Sequence, residues 1–172
     1  DPYRDEPHYG VDYAAPQDYL NGKKTYIYPI GPGYVTAHSF CVRCYSEGDQ
    51  WGNVAERWPL YNFGFGNFIL IETPYNERVS IYVMYAHLTD DFVALGRYVT
   101  PEDVIGTVGK SGYAEEFHVH MEVRYGEPGR FWNANFTRWA ALDLWMSTMP
   151  VNPALLVFAD NHANFAAKLD VW

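Results

Sequence analysis

Three short clusters in the chain carry residues able to do metal and proton chemistry. The first is His8-Tyr-Gly-Val-Asp12, a nitrogen and an oxygen ligand four positions apart. Pro7, Gly10 and Pro16 argue against a helix there, so the two side chains are expected to converge across an extended or turning segment. The second is His118-Val-His120 inside a strand-like run. Side chains at i and i+2 of a strand share one face about 6–7 Å apart, so one can ligate a metal while the other stands beside it as acid or base. The third is Tyr85-Ala-His87, at the end of a long strand pattern. Each cluster alone is weak, since a single strand histidine is most often structural.

The elements that must position these residues are short strands. Strand signals run over residues 25–29, 34–40, 67–72, 79–87, 104–108 and 117–124, with turn signals between them. Gly31-Pro32-Gly33 reads as a turn returning one strand to the next, and residues 73–77 as a hairpin connection. Residues 1–22 read as irregular chain with one short extended piece. Residues 136–146 carry helix formers, with Trp139, Leu142, Trp145 and Met146 on one face and Pro150 as a stop. Residues 153–158 and 163–169 read as short helices. The expected fold is all-β, mainly antiparallel sheets forming a groove, with short C-terminal helices. One domain over residues 1–172 is expected, with insertions at about 38–62 and 127–150 and a helical C-terminal extension at about 136–172.

The chain has 172 residues, 48% hydrophobic and 19% charged, which is a globular composition. Its net charge of −9 and lack of a Lys/Arg run exclude a nucleic-acid partner held through phosphates. No apolar run reaches the roughly 20 residues of a membrane helix. Aromatics make up 18%, a supply for strands, core and any binding wall. Cys41-Val-Arg-Cys44 is open to three readings: a redox pair, half a zinc site or a local disulfide. Only His38 is near enough to extend a zinc site, and residues 46–49 read as loop, so a loop-clipping disulfide is favoured.

In ordered combination the motifs resemble those of the M23, or LytM/lysostaphin-type, zinc endopeptidases. His8-Tyr-Gly-Val-Asp12-Tyr-Ala-Ala-Pro16 is similar to an H-x-G-x-D-x-A-x-P opening. Pro29-Ile-Gly-Pro-Gly-Tyr-Val35, Gly66-Asn-Phe-Ile-Leu-Ile71 and Tyr85-Ala-His-Leu88 follow in family order. Val104-Ile-Gly-Thr-Val-Gly-Lys-Ser-Gly112, Phe117-His-Val-His-Met-Glu-Val123 and Val151-Asn-Pro-Ala-Leu-Leu156 complete it.

The resemblance implies that His8, Asp12 and His120 hold Zn2+, with water at the open position. It implies that His118 and His87 are the catalytic pair, in roles that can be exchanged. It implies a peptidoglycan peptide as substrate and an extracytoplasmic setting, secreted, periplasmic or at the cell envelope. The alternative is a catalytically silent scaffold or activator of other cell-wall hydrolases, against which all five positions are filled. A cupin-like oxygenase lacks its downstream acid, because Glu122 lies only two residues past His120. A plain carbohydrate- or peptide-binding module is the remaining competitor.

Some residues depart from the family pattern or stand outside it. Glu115 and Glu116 precede the H-x-H, where they either favour an amine-bearing substrate or are solvated loop acids. Glu72 reads either as a partner supporting the metal site or, favoured, as an exposed strand end. Tyr3 and Tyr9 are candidate oxyanion donors, and His38 and His162 read as structural.

Overall fold

The computed structural model describes residues 9–14, 21–41, 62–114, 116–136 and 138–151. The strands are β1 (Val11–Ala14), β2 (Tyr26–Ile27), β3 (Gly33–Ser39), β4 (Phe68–Pro74), β5 (Ser80–Ala86), β6 (Tyr98–Val99), β7 (Gly106–Thr107), β8 (His118–Gly126) and β9 (Met149–Val151). Helix α1 (Trp139–Met146) lies between β8 and β9. All pairings are antiparallel. The main sheet runs β1-β8-β5-β4-β3-β6, with β9 also on β8, and β2 pairs with β7 in a separate ribbon. The expected all-β antiparallel fold is therefore found. The helices expected at 153–158 and 163–169 lie outside the described residues.

The central strands form where buried, β-favouring residues run continuously. β5 is buried throughout, as is β4 up to Glu72. Alternation then divides their side chains between two cores. Ile69, Ile71, Ile81, Val83 and Tyr85 enter one, with Val119, Met121 and Val123 of β8. Phe68, Leu70, Tyr82, Met84 and Ala86 enter the other.

That second core is closed by the segment after β8. Trp145 meets Phe131 and Phe136 edge to face, as Phe136 meets Phe68 and Phe131 meets Tyr82 at centroid separations of 4.9 Å each, while Phe131 and Phe136 stack on one another. α1 turns Leu142 and Trp145 inward. Its last turn closes with Ser147 N donating to Asp143 O and Thr148 Oγ1 donating to Trp145 O. Full burial of an aromatic this large is worth about 3–5 kcal/mol by the cost of truncating one. The described part of the 127–150 segment thus packs against the sheet.

Two expectations are corrected. Residues 25–29 and 34–40 do not pair as a hairpin, because β2 joins β7 whereas β3 joins β4 and β6. Glu72 is buried, not an exposed strand end, and its Oε1 accepts from Gly129 N at 2.7 Å. Strands β6 and β9 are additions to the expected set; two- and three-residue strands carry no periodic signal. Cys41 is disulfide-bonded, in line with the favoured reading.

Candidate active site

The two edges of β8 set the site. β5 covers one edge along almost its whole length, from Ala86↔His120 to Ser80↔Gly126. The other edge is shared: β1 covers residues 118–121 and β9 covers 123–125. The β1 register places Asp12 directly opposite His120. Directly opposed residues share a face with Cβ atoms roughly 4.5–5.5 Å apart, so the carboxylate and the imidazole must meet. Asp12 Oδ1 lies 2.8 Å from His120 Nδ1 and 3.8 Å from His118 Nε2.

His87 arrives from the end of β5. Its ring centroid is 4.7 Å from that of His118 and 5.8 Å from that of His120. Its backbone holds φ at +63°, unusual for a residue with a side chain, which marks an over-determined position. The determinants are visible around it. His87 N donates to Phe65 O, and Leu88 N to Asn67 O. Asn67 Nδ2 and Ser111 Oγ both donate to Leu88 O, at 3.0 and 2.8 Å, and Asn67 N donates to Ser111 Oγ.

Hydrogen bonds also choose the tautomers. His87 Nδ1 donates to Ser111 O at 2.7 Å, and His118 Nδ1 donates to Glu116 O at 2.8 Å. A carbonyl only accepts, so both rings carry their proton on Nδ1 and present Nε2 as an acceptor. Burial, then the neighbouring His118 and His120, lower the His87 pKa to about 3, which keeps it neutral. His120 goes the other way in the metal-free chain. Burial opposes its charge, but hydrogen bonds to Asp12 and Glu122 outweigh that and raise its pKa to about 9.

Four of the five expected site residues, Asp12, His87, His118 and His120, thus sit together. His8 lies outside the described residues. Among the described residues no group of three His, Cys, Asp or Glu side chains forms a metal cage. The donor chemistry fits a zinc ion nevertheless. One carboxylate oxygen and one imidazole nitrogen face each other, and His8 stands four positions before Asp12 in the sequence.

The family profile of peptidase family M23 matches residues 6–131. The chain belongs to peptidase family M23. It is 28% identical over 120 residues to a protein of Buchnera aphidicola subsp. Baizongia pistaciae (strain Bp) named "Uncharacterized metalloprotease". That match takes in 70% of this chain and 24% of the relative, so the chain spans about a quarter of that relative's length.

Solved structures share the fold. The catalytic domain of a mutant of the prophage-encoded M23 protein EnpA of Enterococcus faecalis aligns with a TM-score of 0.51 at 23% identity, over 86% of this chain and 76% of that one. A protein named as an M23 peptidase of Pseudomonas aeruginosa aligns with a TM-score of 0.52 at 20% identity, over 90% of this chain and 45% of that one.

Glycines within the M23 motifs have physical reasons. A Cβ on Gly10 would overlap Cε1 and Nε2 of His120, so the glycine in H-x-G-x-D makes room for the ring. Gly66 (φ +65°) and Gly112 (φ +73°) press backbone to backbone, locking the Asn67 strand to the Ser111 turn that holds His87.

Other candidates fall elsewhere. His38 Nδ1 pairs with Asp91 at 3.0 Å. The Tyr9 ring lies under the Arg124 guanidinium, 5.1 Å away. Tyr3, Glu115 and His162 lie outside the described residues. The Glu116 carbonyl, not its carboxylate, is what meets His118. Residue-type reasoning assigns no role to Asn67, Ser111, Glu122 or Arg124, although all but Arg124 lie within the quoted motifs.

A cavity of about 240 Å³ adjoins the site along the chain. It is lined by Lys23, Lys24, Thr25, Thr89, Val108 and Phe117 among others. Phe117 precedes His118, and Thr89 lies two residues past His87. No helix among the described residues is long and apolar enough to cross a membrane.

Proposed function

We propose that the chain is a zinc endopeptidase that hydrolyses peptide cross-links or stem peptides of bacterial peptidoglycan, outside the cytoplasm. Membership of family M23 supports peptide-bond hydrolysis, and the ordered cell-wall-peptidase motifs support the substrate class. The carrying observation is the meeting of Asp12 and His120 at 2.8 Å with two further imidazoles beside them.

His8, Asp12 and His120 would hold the ion. Bound zinc would polarise the scissile carbonyl and make water more acidic. His118 takes the water's proton at Nε2 and passes it to the leaving amine. His87 is neutral and offers a lone pair at Nε2, so it orients the water as an acceptor and does not donate to an oxyanion. The cavity beside Phe117 receives part of the extended peptide.

Zinc content and release of fragments from purified peptidoglycan test this reading. His118→Ala is expected to keep zinc and lose turnover by about 10²- to 10⁴-fold. His120→Ala and Asp12→Ala are expected to lose the metal. A wild-type chain that binds zinc yet leaves peptidoglycan intact would establish the scaffold alternative instead.

A further inference from the structure

The even-numbered face of β8 continues past the histidines. After His118 and His120 come Glu122 and Arg124, both buried, at 6% and 1% exposure. Glu122 Oε1 lies 3.1 Å from His120 Nε2. Its other oxygen, Oε2, accepts from Arg124 Nε at 2.8 Å and from Trp145 Nε1 at 3.1 Å. Both carboxylate oxygens are therefore engaged, and the group has one orientation.

Arg124 is itself fastened to α1 and its exit. Nη1 reaches the carbonyls of Trp145 and Thr148 at 3.4 and 3.3 Å. The guanidinium lies over the rings of both Tyr9 and Trp145, 5.1 Å from each centroid. A charge this deeply buried is costly unless fully partnered, and an apolar residue would fill the same core. What the charge adds is a fixed carboxylate behind His120. Tyr9 lies between His8 and Gly10, so one guanidinium grips both segments that carry the expected ligands.

We propose that Glu122, clamped by Arg124 and the Trp145 indole, is a positioning residue that fixes the His120 imidazole for metal binding and so ties α1 to the metal centre. This rests on the zinc reading above. An ionised carboxylate at Nε2 requires the proton there. Nδ1, the atom turned to Asp12, is then the nitrogen left to exchange its proton for a metal, while Nε2 keeps its own on Glu122. The carboxylate also resists a flip of the ring about its own axis. Such partners of ligating histidines typically contribute about 10- to 100-fold in metal affinity.

The test is zinc affinity by competition with a chromogenic chelator, with the absorption spectrum of the cobalt-substituted protein and thermal unfolding of the metal-free chain recorded alongside. Glu122→Gln is expected to weaken zinc by about 10- to 100-fold and to alter the cobalt spectrum. Trp145→Phe deletes the Nε1 donor together with part of the buried indole, so the unfolding of the metal-free chain separates the packing loss from an expected loss of zinc affinity of about three- to tenfold. If Glu122→Gln does not fold, Trp145→Phe decides. Affinities within about twofold of wild type, with unchanged cobalt spectra in every folded variant, would overturn the proposal. A wild-type chain that binds neither metal would overturn the zinc reading and this inference with it.

Discussion

Along β8 the odd-numbered side chains Val119, Met121 and Val123 enter an all-apolar core, whereas the even-numbered His118, His120, Glu122 and Arg124 all carry ionisable groups. The backbone is common to both faces, and so is its burial, so the difference lies in what packs opposite. The odd face joins a cluster of buried hydrophobic side chains that includes Val83 and Tyr85 of the neighbouring β5 and Ile27 and Ile105 from outside the main sheet. The even face meets Asp12 at one end and Trp145 at the other, with hydrogen-bond partners supplied at each step. A strand of period two can thus hold a packed core and a polar row without either disturbing the other. The polar row loses burial gradually, from Arg124 at 1% exposure to the partly exposed His118, the end that would meet substrate in the proposed reading.

That contrast can be broken by changing one face at a time. Met121→Ala empties the odd face and is expected to cost about 2–4 kcal/mol in denaturant unfolding of the metal-free chain. Its zinc affinity should stay within about twofold of wild type, because the ring of His120 is held from the opposite face. A large loss of zinc affinity here would show that the faces are coupled.

Gly10→Ala should do the reverse. The added methyl would overlap the His120 ring, so zinc affinity is expected to fall about 10- to 100-fold while unfolding changes less than in Met121→Ala. Equilibrium competition with a chelator measures it.

The smallest effect sharpens the electrostatic side. In the metal-free chain the His87 pKa is lowered from 6.5 to about 3, so between those values the unfolded chain binds the extra proton and stability falls as pH falls. The His120 pKa is raised from 6.5 to about 9, so its contribution is complete below pH 6.5 and is lost as pH rises toward 9. Stability should therefore peak near pH 6.5, each limb having a slope of at most about 1.4 kcal/mol per pH unit. Denaturant midpoints across pH 4 to 9 test it, and a flat profile on both sides would contradict these shifts.

Much of the molecule is legible in its residues alone. Those of β4, β5 and β8 announce themselves by β-branched and aromatic runs, and five candidate functional positions by residue type and order. Glu72 misleads because strand ends look alike whether or not a later loop covers them; here Gly129, 57 positions on, supplies the partner. The false hairpin of residues 25–40 has a similar cause. A Gly-Pro-Gly turn joins neighbouring segments, but burial of Ile27 in the core beside Ile105 places β2 on β7.

The sequence by itself determined residue chemistry and local period: which side chains can ligate, which can move protons, and that a strand would set His118 and His120 on one face. Only the tertiary structure decided which distant groups complete them. Asp12 faces His120 across 108 positions, and Trp145 reaches Glu122 across 23. Those meetings depend on strand register and chain reversal, which arise from packing of the whole core and leave no mark in any local window.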